Sequence, residues 1–538
     1  MKPTAFVLAA ALLASAGRAA AVDPPKLAVI IVVDQMRADY IDRFKSDWTG
    51  GLKRLVTQGA WFTRAAYPYL LTVTCAGHAT IATGAFPSTH GIFSNQWWDR
   101  AASQQMQCAE DPAATNIGYD AAASDHNSGY RLLVPTFADR MRTERGAHVV
   151  TLSVKARSAI MLAGHGGDAV TWLSERLDGW LTSSAFSSAP VPAVKAFIDS
   201  HPVDSDFGQR WTRLLPPARY RYADDGRGER PPAGWTSTFP HVLNGTTGKP
   251  DLTFRAQWDI SPFSDAYLGG LAATLVEQMR LGKHETTDIL GVSFTATDLV
   301  GHRFGPRSQE MQDQLARLDR TLGTLFDRLD ADVGPGTYVV ALSSDHGVTP
   351  IPEQLAIEHV DGGRIDTATI VKQVEALLTP TMGAGAHVAK LDGRDGNLYF
   401  AAGVYERLRA SPGLLEAVLR SIASAPGVGH VFRGDDLRGA RAATEPWRRA
   451  AALSYVEGRS GDLVLAPKPG WIGSNEAASH GTASTDDQHV PMLFMGHGIK
   501  AGRYDQPATP ADIAPTLAAI CGIAMPLAEG RVLRAALK

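Results

Sequence analysis

The sequence predicts an α/β protein whose largely parallel central sheet is flanked by helices and interrupted by insertions. Uninterrupted apolar runs at residues 27–33 (LAVIIVV), 289–294 (ILGVSF) and 338–342 (YVVAL) suit parallel strands covered on both faces. Carboxylates and histidines recur where those runs end: Asp34 after the first, Asp298 and His302 after the second, Asp345 and His346 after the third. Open α/β sheets build their sites at the carboxyl ends of strands, so the recurrence points to one shared site. A third sign is a stripe at helical spacing, Met311, Leu315, Leu318, Leu322, Leu325 and Leu329, of the kind that covers a sheet; Gly334-Pro335-Gly336 ends it.

Taken in order, the chain opens with Lys2, an apolar stretch over residues 5–16, and Ala19-Ala20-Ala21, which together read as a leader (1–21) cleaved after Ala21. The stretch is too short for a stable membrane anchor, and no later apolar segment reaches the required length. The mature protein is therefore expected in the periplasm or the medium. Residues 22–165 form the first part of the core. Residues 166–260, rich in Trp, Pro and Arg, lack a clear strand–helix alternation and are expected to be a cap or insertion. Residues 261–349 return to the core, with amphipathic helices over 265–281 and 308–329. Residues 350–450 are expected to form a small α/β insertion, and residues 451–538 complete the core with a strand at 492–495 and a helix near 510–517.

A chain of 538 residues, 44% hydrophobic and 20% charged, can bury an ample core in more than one structural unit. Its net charge of −3 gives no general attraction to polyanions or membrane surfaces, so no nucleic-acid partner is expected. Three cysteines, Cys75, Cys108 and Cys521, allow at most one internal bridge, so disulfides are not the scaffold.

The strand-end residues, joined by His480 ahead of the 492–495 strand, make three Asp and three His, enough for two cations with nitrogen and oxygen ligands. Asp298 and His302 are four apart and share one face of a helical turn. A reaction needs a nucleophile, and Thr74 in the small-residue stretch T-C-A-G-H-A-T-I-A-T-G is placed to be one. Free N–H groups at a helix start favour an anion and an ionised hydroxyl, and a bound cation lowers the hydroxyl's pKa. Without the cluster, Thr74 would read as an ordinary helix cap.

The collinear order Asp34, Thr74 in T-x-x-G-H-A-x-I-x-T-G, P-S-T-H-G-I with Asn95, Lys155-Ala156-Arg157, T-D-x-x-G-H, S-D-H-G and His480-Gly-Thr resembles the type I phosphodiesterase and nucleotide pyrophosphatase branch of the alkaline phosphatase superfamily. More narrowly it is similar to single-chain bacterial alkaline phosphatases with a threonine nucleophile, the PafA-like enzymes. The resemblance implies an alkaline phosphatase-like core and two Zn²⁺. Asp34, Asp345 and His346 would hold one together with the Thr74 oxygen, while Asp298, His302 and His480 would hold the other. It further implies that Asn95, Lys155 and Arg157 contact the phosphoryl group, the last two meeting the extra charge of a monoester dianion. Small-molecule phosphate monoesters are thus the expected substrates, turned over by a monomer through a phosphothreonine.

His489 rivals His480 as a ligand, but the family's His-Gly element favours His480; His78 is expected behind the site. A sulfatase would need C-x-P-x-R at Cys75, and Cys75 is followed by neither residue, so it reads as a small buried residue at the helix start. A phosphodiesterase or nucleotide pyrophosphatase on the same site is the main alternative. A non-catalytic binding protein is disfavoured by the full set of ligands.

Overall fold

The computed structural model describes residues 23–538 apart from position 124, so the leader lies outside the described residues. A ten-stranded sheet forms the core. Its middle is five mutually parallel strands, in the order Tyr338–Ser343, Leu27–Val33, Asp288–Phe294, Val149–Ser153 and Ala169–Leu173. Both flanks run antiparallel where they join this middle. Met492–Gly496 pairs against Tyr338–Ser343 on one side, and Trp180–Ser183 against Ala169–Leu173 on the other. The sheet is therefore mixed, parallel where the site is built.

The register explains the uninterrupted apolar runs. Successive side chains of a strand point to opposite faces, and in Leu27–Val33 each face meets a different core. Leu27, Val29, Ile31 and Val33 join one cluster with Leu268, Leu271 and Leu275 of helix Pro262–Gln278 and Leu315, Leu318, Leu322 and Leu325 of helix Gln309–Asp332. Ala28, Ile30 and Val32 join another with Phe137 and Met141 of Phe137–Arg145 and Ile513 and Leu517 of Ile513–Ile520. A strand with no wet face has no polar alternation.

The helix expected over 308–329 spans Gln309–Asp332, with the Met311 N–H donating to the Ser308 hydroxyl at 3.1 Å. The one expected over 265–281 spans Pro262–Gln278, because Ser261 caps it and Pro262 opens it. Beyond residue 165 the chain continues the sheet through Ala169–Leu173 and Trp180–Ser183 before leaving it. Between His346 and His480 lies a separate four-stranded sheet, Val388–Leu391, Asn397–Phe400, Leu463–Pro467 and Val428–Arg433 in spatial order. With helices Thr367–Met382 and Pro412–Ala423 it has a hydrophobic core of its own.

Candidate active site

Three expected ligands closely follow parallel strands, and the others are brought to them by a helix and a loop. Asp34 follows Leu27–Val33, and Asp345 and His346 follow Tyr338–Ser343. Helix Ala296–Phe304 starts just past Asp288–Phe294 and turns Asp298 and His302 toward one another, with Nε2 of His302 3.2 Å from Asp298 Oδ1. His480 arrives on the loop after the four-stranded sheet and brings Nε2 to 3.8 Å from Asp298 Oδ1. His489 is exposed and outside this cluster, whereas His480 is buried in it.

Two groups of three ligand atoms result. Those of Asp34, Asp345 and His346 lie within 4.8 Å of one another, as do those of Asp298, His346 and His480. His346 stands at the junction: its Nε2 is 3.6 Å from Asp34 and 3.4 Å from Asp345, and its ring stacks on His480 with centroids 3.6 Å apart.

The donors suit divalent cations. Nδ1 of His302, His346 and His480 each faces a carbonyl, of Ala478 at 2.9 Å, Gly347 at 2.9 Å and Thr72 at 2.8 Å. That leaves Nε2 as the ligating nitrogen, the arrangement in which a backbone acceptor fixes the tautomer of a metal-binding imidazole. Burial depresses the pKa of His346 and His480, so both favour the neutral, ligating form. Asp34 Oδ1 and Asp345 Oδ2 are buried with no hydrogen-bond partner, a state that buried carboxylate oxygens rarely keep without a cation. Burial, with Asp298 and Asp345 nearby, also raises the Asp34 pKa well above the usual range. Carboxylate and imidazole together fit Zn²⁺.

Lys155 supplies positive charge at the centre. Its ammonium lies 2.7 Å from Asp34 Oδ2 and 2.5 Å from Asp298 Oδ2, one carboxylate from each group. Burial opposes the charge on Asp298, but Lys155 and His302 outweigh it and hold that carboxyl well below its usual value. Arg157, two residues on, has a buried Nε with no hydrogen-bond partner.

Thr74 is the first residue of helix Thr74–Thr83, and its hydroxyl oxygen is 3.5 Å from His346 Nε2. The helix seats directly on the Asp345 loop, because Gly77 lets its backbone touch the Asp345 main chain where a Cβ would collide. Asn95 reaches the same helix start, its Oδ1 accepting the Cys75 N–H at 2.8 Å. His78 lies behind Thr74, with Nδ1 2.9 Å from the Thr74 carbonyl and Nε2 2.8 Å from Ser293 Oγ. Cys75 is the small buried residue expected at the helix start, and the one bridge that three cysteines allow joins it to Cys108; Cys521 is free and buried.

Three further residues hold the site and escaped the sequence reading. Glu476 Oε2 is 3.1 Å from His302 Nδ1 and 2.7 Å from Arg394. Gln35 Nε2 donates to Asp298 Oδ1 at 2.6 Å. Asp265 Oδ1 accepts the Thr295 and Ala296 N–H groups at 3.0 and 3.2 Å, fixing the start of the helix that carries Asp298. Gln35 adjoins Asp34 and Glu476 shortly precedes His480, so proximity in the chain was the available signal.

Buried carboxylates and imidazoles at parallel strand ends, facing a hydroxyl at a helix start, are the equipment of a metal-assisted phosphoryl-transfer hydrolase. The family model for type I phosphodiesterase / nucleotide pyrophosphatase matches residues 28–489, and the chain belongs to that family. It is 34% identical to the alkaline phosphatase PhoK of Sphingomonas sp, over 95% of this chain and 90% of that protein. It is 30% identical to the alkaline phosphatase PafA of Elizabethkingia meningoseptica, over 94% and 93% of the two chains. The crystal structure of wild-type PafA superposes with a TM-score of 0.87, covering 96% of this chain and all of that one. The α/β architecture with its inserted small sheets is thus that of PafA.

Proposed function

We propose that this protein is an exported, zinc-dependent alkaline phosphatase that hydrolyses phosphate monoesters through a phosphothreonine at Thr74. The observation that carries the reading is the Thr74 hydroxyl at a helix start, 3.5 Å from an imidazole shared by two buried ligand groups. Full-length relatives named alkaline phosphatases support it. Two Zn²⁺, one held by Asp34, Asp345 and His346 and one by Asp298, His302 and His480, would supply Lewis-acid charge that eases deprotonation of a hydroxyl and a water and offsets charge on the departing oxygen.

Within that frame the chain's own groups act in two displacements. Thr74 Oγ1 gives up its proton and attacks phosphorus in line. The bond to the alcohol breaks, and the alcohol oxygen takes a proton. A water then attacks the phosphothreonine from the opposite side, releasing orthophosphate and restoring the Thr74 hydroxyl. The helix-start N–H groups, the Asn95 amide, Lys155 and Arg157 neutralise charge on the non-bridging oxygens.

The leader-like residues 1–21 and the Cys75–Cys108 bridge both suit an oxidising compartment, periplasm or medium. Among the described residues no helix is long and apolar enough to cross a membrane.

The family model's description keeps a phosphodiesterase reading in play. The test is turnover of an aryl phosphate against a bis-aryl phosphate, with Thr74→Ala and Thr74→Ser beside the wild type. Thr74→Ala should abolish turnover but retain metal and phosphate binding, and Thr74→Ser should keep part of the activity. Near wild-type turnover by Thr74→Ala would remove the nucleophile assignment; a preference for the diester would replace the substrate class.

A further inference from the structure

Cys75, the second residue of the nucleophile helix, and Cys108 are both buried and joined by a disulfide. Asn95 is held between them by main-chain donors from both half-cystines. The Cys75 N–H donates to Asn95 Oδ1 at 2.8 Å, and the Cys108 N–H donates to the Asn95 carbonyl at 2.9 Å. Asn95 and Cys108 flank the base of a hairpin, Gln96–Asp99 paired with Gln104–Gln107, that forms a two-stranded sheet apart from the central one. A two-stranded hairpin is marginal by itself, so its base needs an external anchor. With Oδ1 engaged as an acceptor, the Nδ2 hydrogens are the part of the Asn95 amide left to donate elsewhere.

We propose that the Cys75–Cys108 disulfide is a positioning element for phosphoryl binding: it ties the hairpin base to the first turn of the Thr74 helix and so aims the Asn95 amide at the phosphoryl group that Thr74 attacks. Besides the two hydrogen bonds, Trp97 of the hairpin packs in one buried cluster with Cys75 and Ala79 of the helix, but neither tie is covalent. The bridge couples the two along a path independent of those bonds. The ligand residues Asp34, Asp298, His302, Asp345, His346 and His480 sit on other elements, so loss of the bridge leaves their groups in place. The proposal rests on the roles given above to Thr74 and Asn95.

The test is a double-mutant cycle on the full-length enzyme between Cys75→Ser/Cys108→Ser and Asn95→Ala, reading aryl phosphate kcat/KM, inhibition by inorganic phosphate, and metal content. In the wild-type background, bridge removal should lower kcat/KM about tenfold and weaken phosphate inhibition by a similar factor, with metal content unchanged; with Asn95→Ala present it should cost under about twofold. Equal losses in both backgrounds, or no loss in either, would overturn the proposal. Should the serine variants not fold, wild type and Asn95→Ala reduced with a phosphine, their thiols counted by mass after alkylation, give the same comparison. Asn95→Ala measured alone separates the two levels of the argument: full kcat/KM there would end the role of Asn95, and the positioning role with it, while Thr74→Ala tests the nucleophile independently.

Discussion

Lys155 and Arg157 should set the preference for monoesters, and their surroundings assign them unequal shares. Replacing both with alanine removes two charge-assisted interactions with the dianion at ~1.5–3 kcal/mol each, so aryl phosphate kcat/KM should fall by ~3–6 kcal/mol, about 10²- to 10⁴-fold. A diester has less charge at that oxygen and should lose under about tenfold. The single variants refine the expectation. Lys155 also bridges Asp34 and Asp298 at 2.7 and 2.5 Å, whereas the Arg157 Nε has no hydrogen-bond partner. Arg157→Ala should therefore change the monoester to diester ratio and little else. Lys155→Ala should in addition remove the cation that the buried Asp34 and Asp298 carboxylates share, lowering the stability of the chelator-treated protein by about 3–5 kcal/mol in urea unfolding. Paired assays on aryl phosphate and bis-aryl phosphate read the ratio. Equal losses on both substrates in the double variant would refute the selection of the dianion and recast the enzyme as a phosphodiesterase.

Chelation should inactivate the enzyme and Zn²⁺ should restore it, and His480→Ala should cut bound zinc to roughly half by atomic emission while His489→Ala leaves it full. Full zinc in His480→Ala with loss in His489→Ala would exchange the two histidines. Stability should also fall with rising pH because of Glu310, a buried residue whose Oε1 lies 2.9 Å from His241 Nε2 while its Oε2 has no partner. Burial pushes its carboxyl up to about 8, so the folded chain keeps a proton that the unfolded chain releases. That contribution is full below pH about 4.5 and is lost as pH rises through about 8. Glu310→Gln should flatten the decline by on the order of 3–5 kcal/mol in denaturant midpoints followed across that range, and an unchanged slope would rule the group out.

The parts of the site legible in the sequence share one property, that each is coded within a few residues. Asp345-His346, the Asp298/His302 spacing and Thr74 at the head of a small-residue helix each announce themselves locally, and the alternation of Leu27–Val33 between two cores leaves the long apolar run that marked a covered strand. What escaped depends on contacts between distant segments. Asp265 caps a helix that begins after the next strand, and Glu476 reaches His302 only once the four-stranded insertion has folded between them. Strand direction was equally hidden: Met492–Gly496, almost wholly buried, runs antiparallel to its neighbour, and its composition is the same for either direction. The Cys75–Cys108 pairing could not be deduced from three cysteines.

The contact at Gly77 divides the site into two halves of different plasticity. On one side main chain lies against main chain, so the separation of the Thr74 helix from the Asp345-His346 loop is set by how two backbones nest. On the other side Asn95 stands at the base of the hairpin and Lys155 caps the helix Ala156–Ala163 that also carries Arg157, so these groups enter as side chains, each replaceable without moving a backbone. On the proposed roles, point substitution at Asn95, Lys155 or Arg157 should retune which phosphate ester is accepted while leaving the seat of the Thr74 helix where it is.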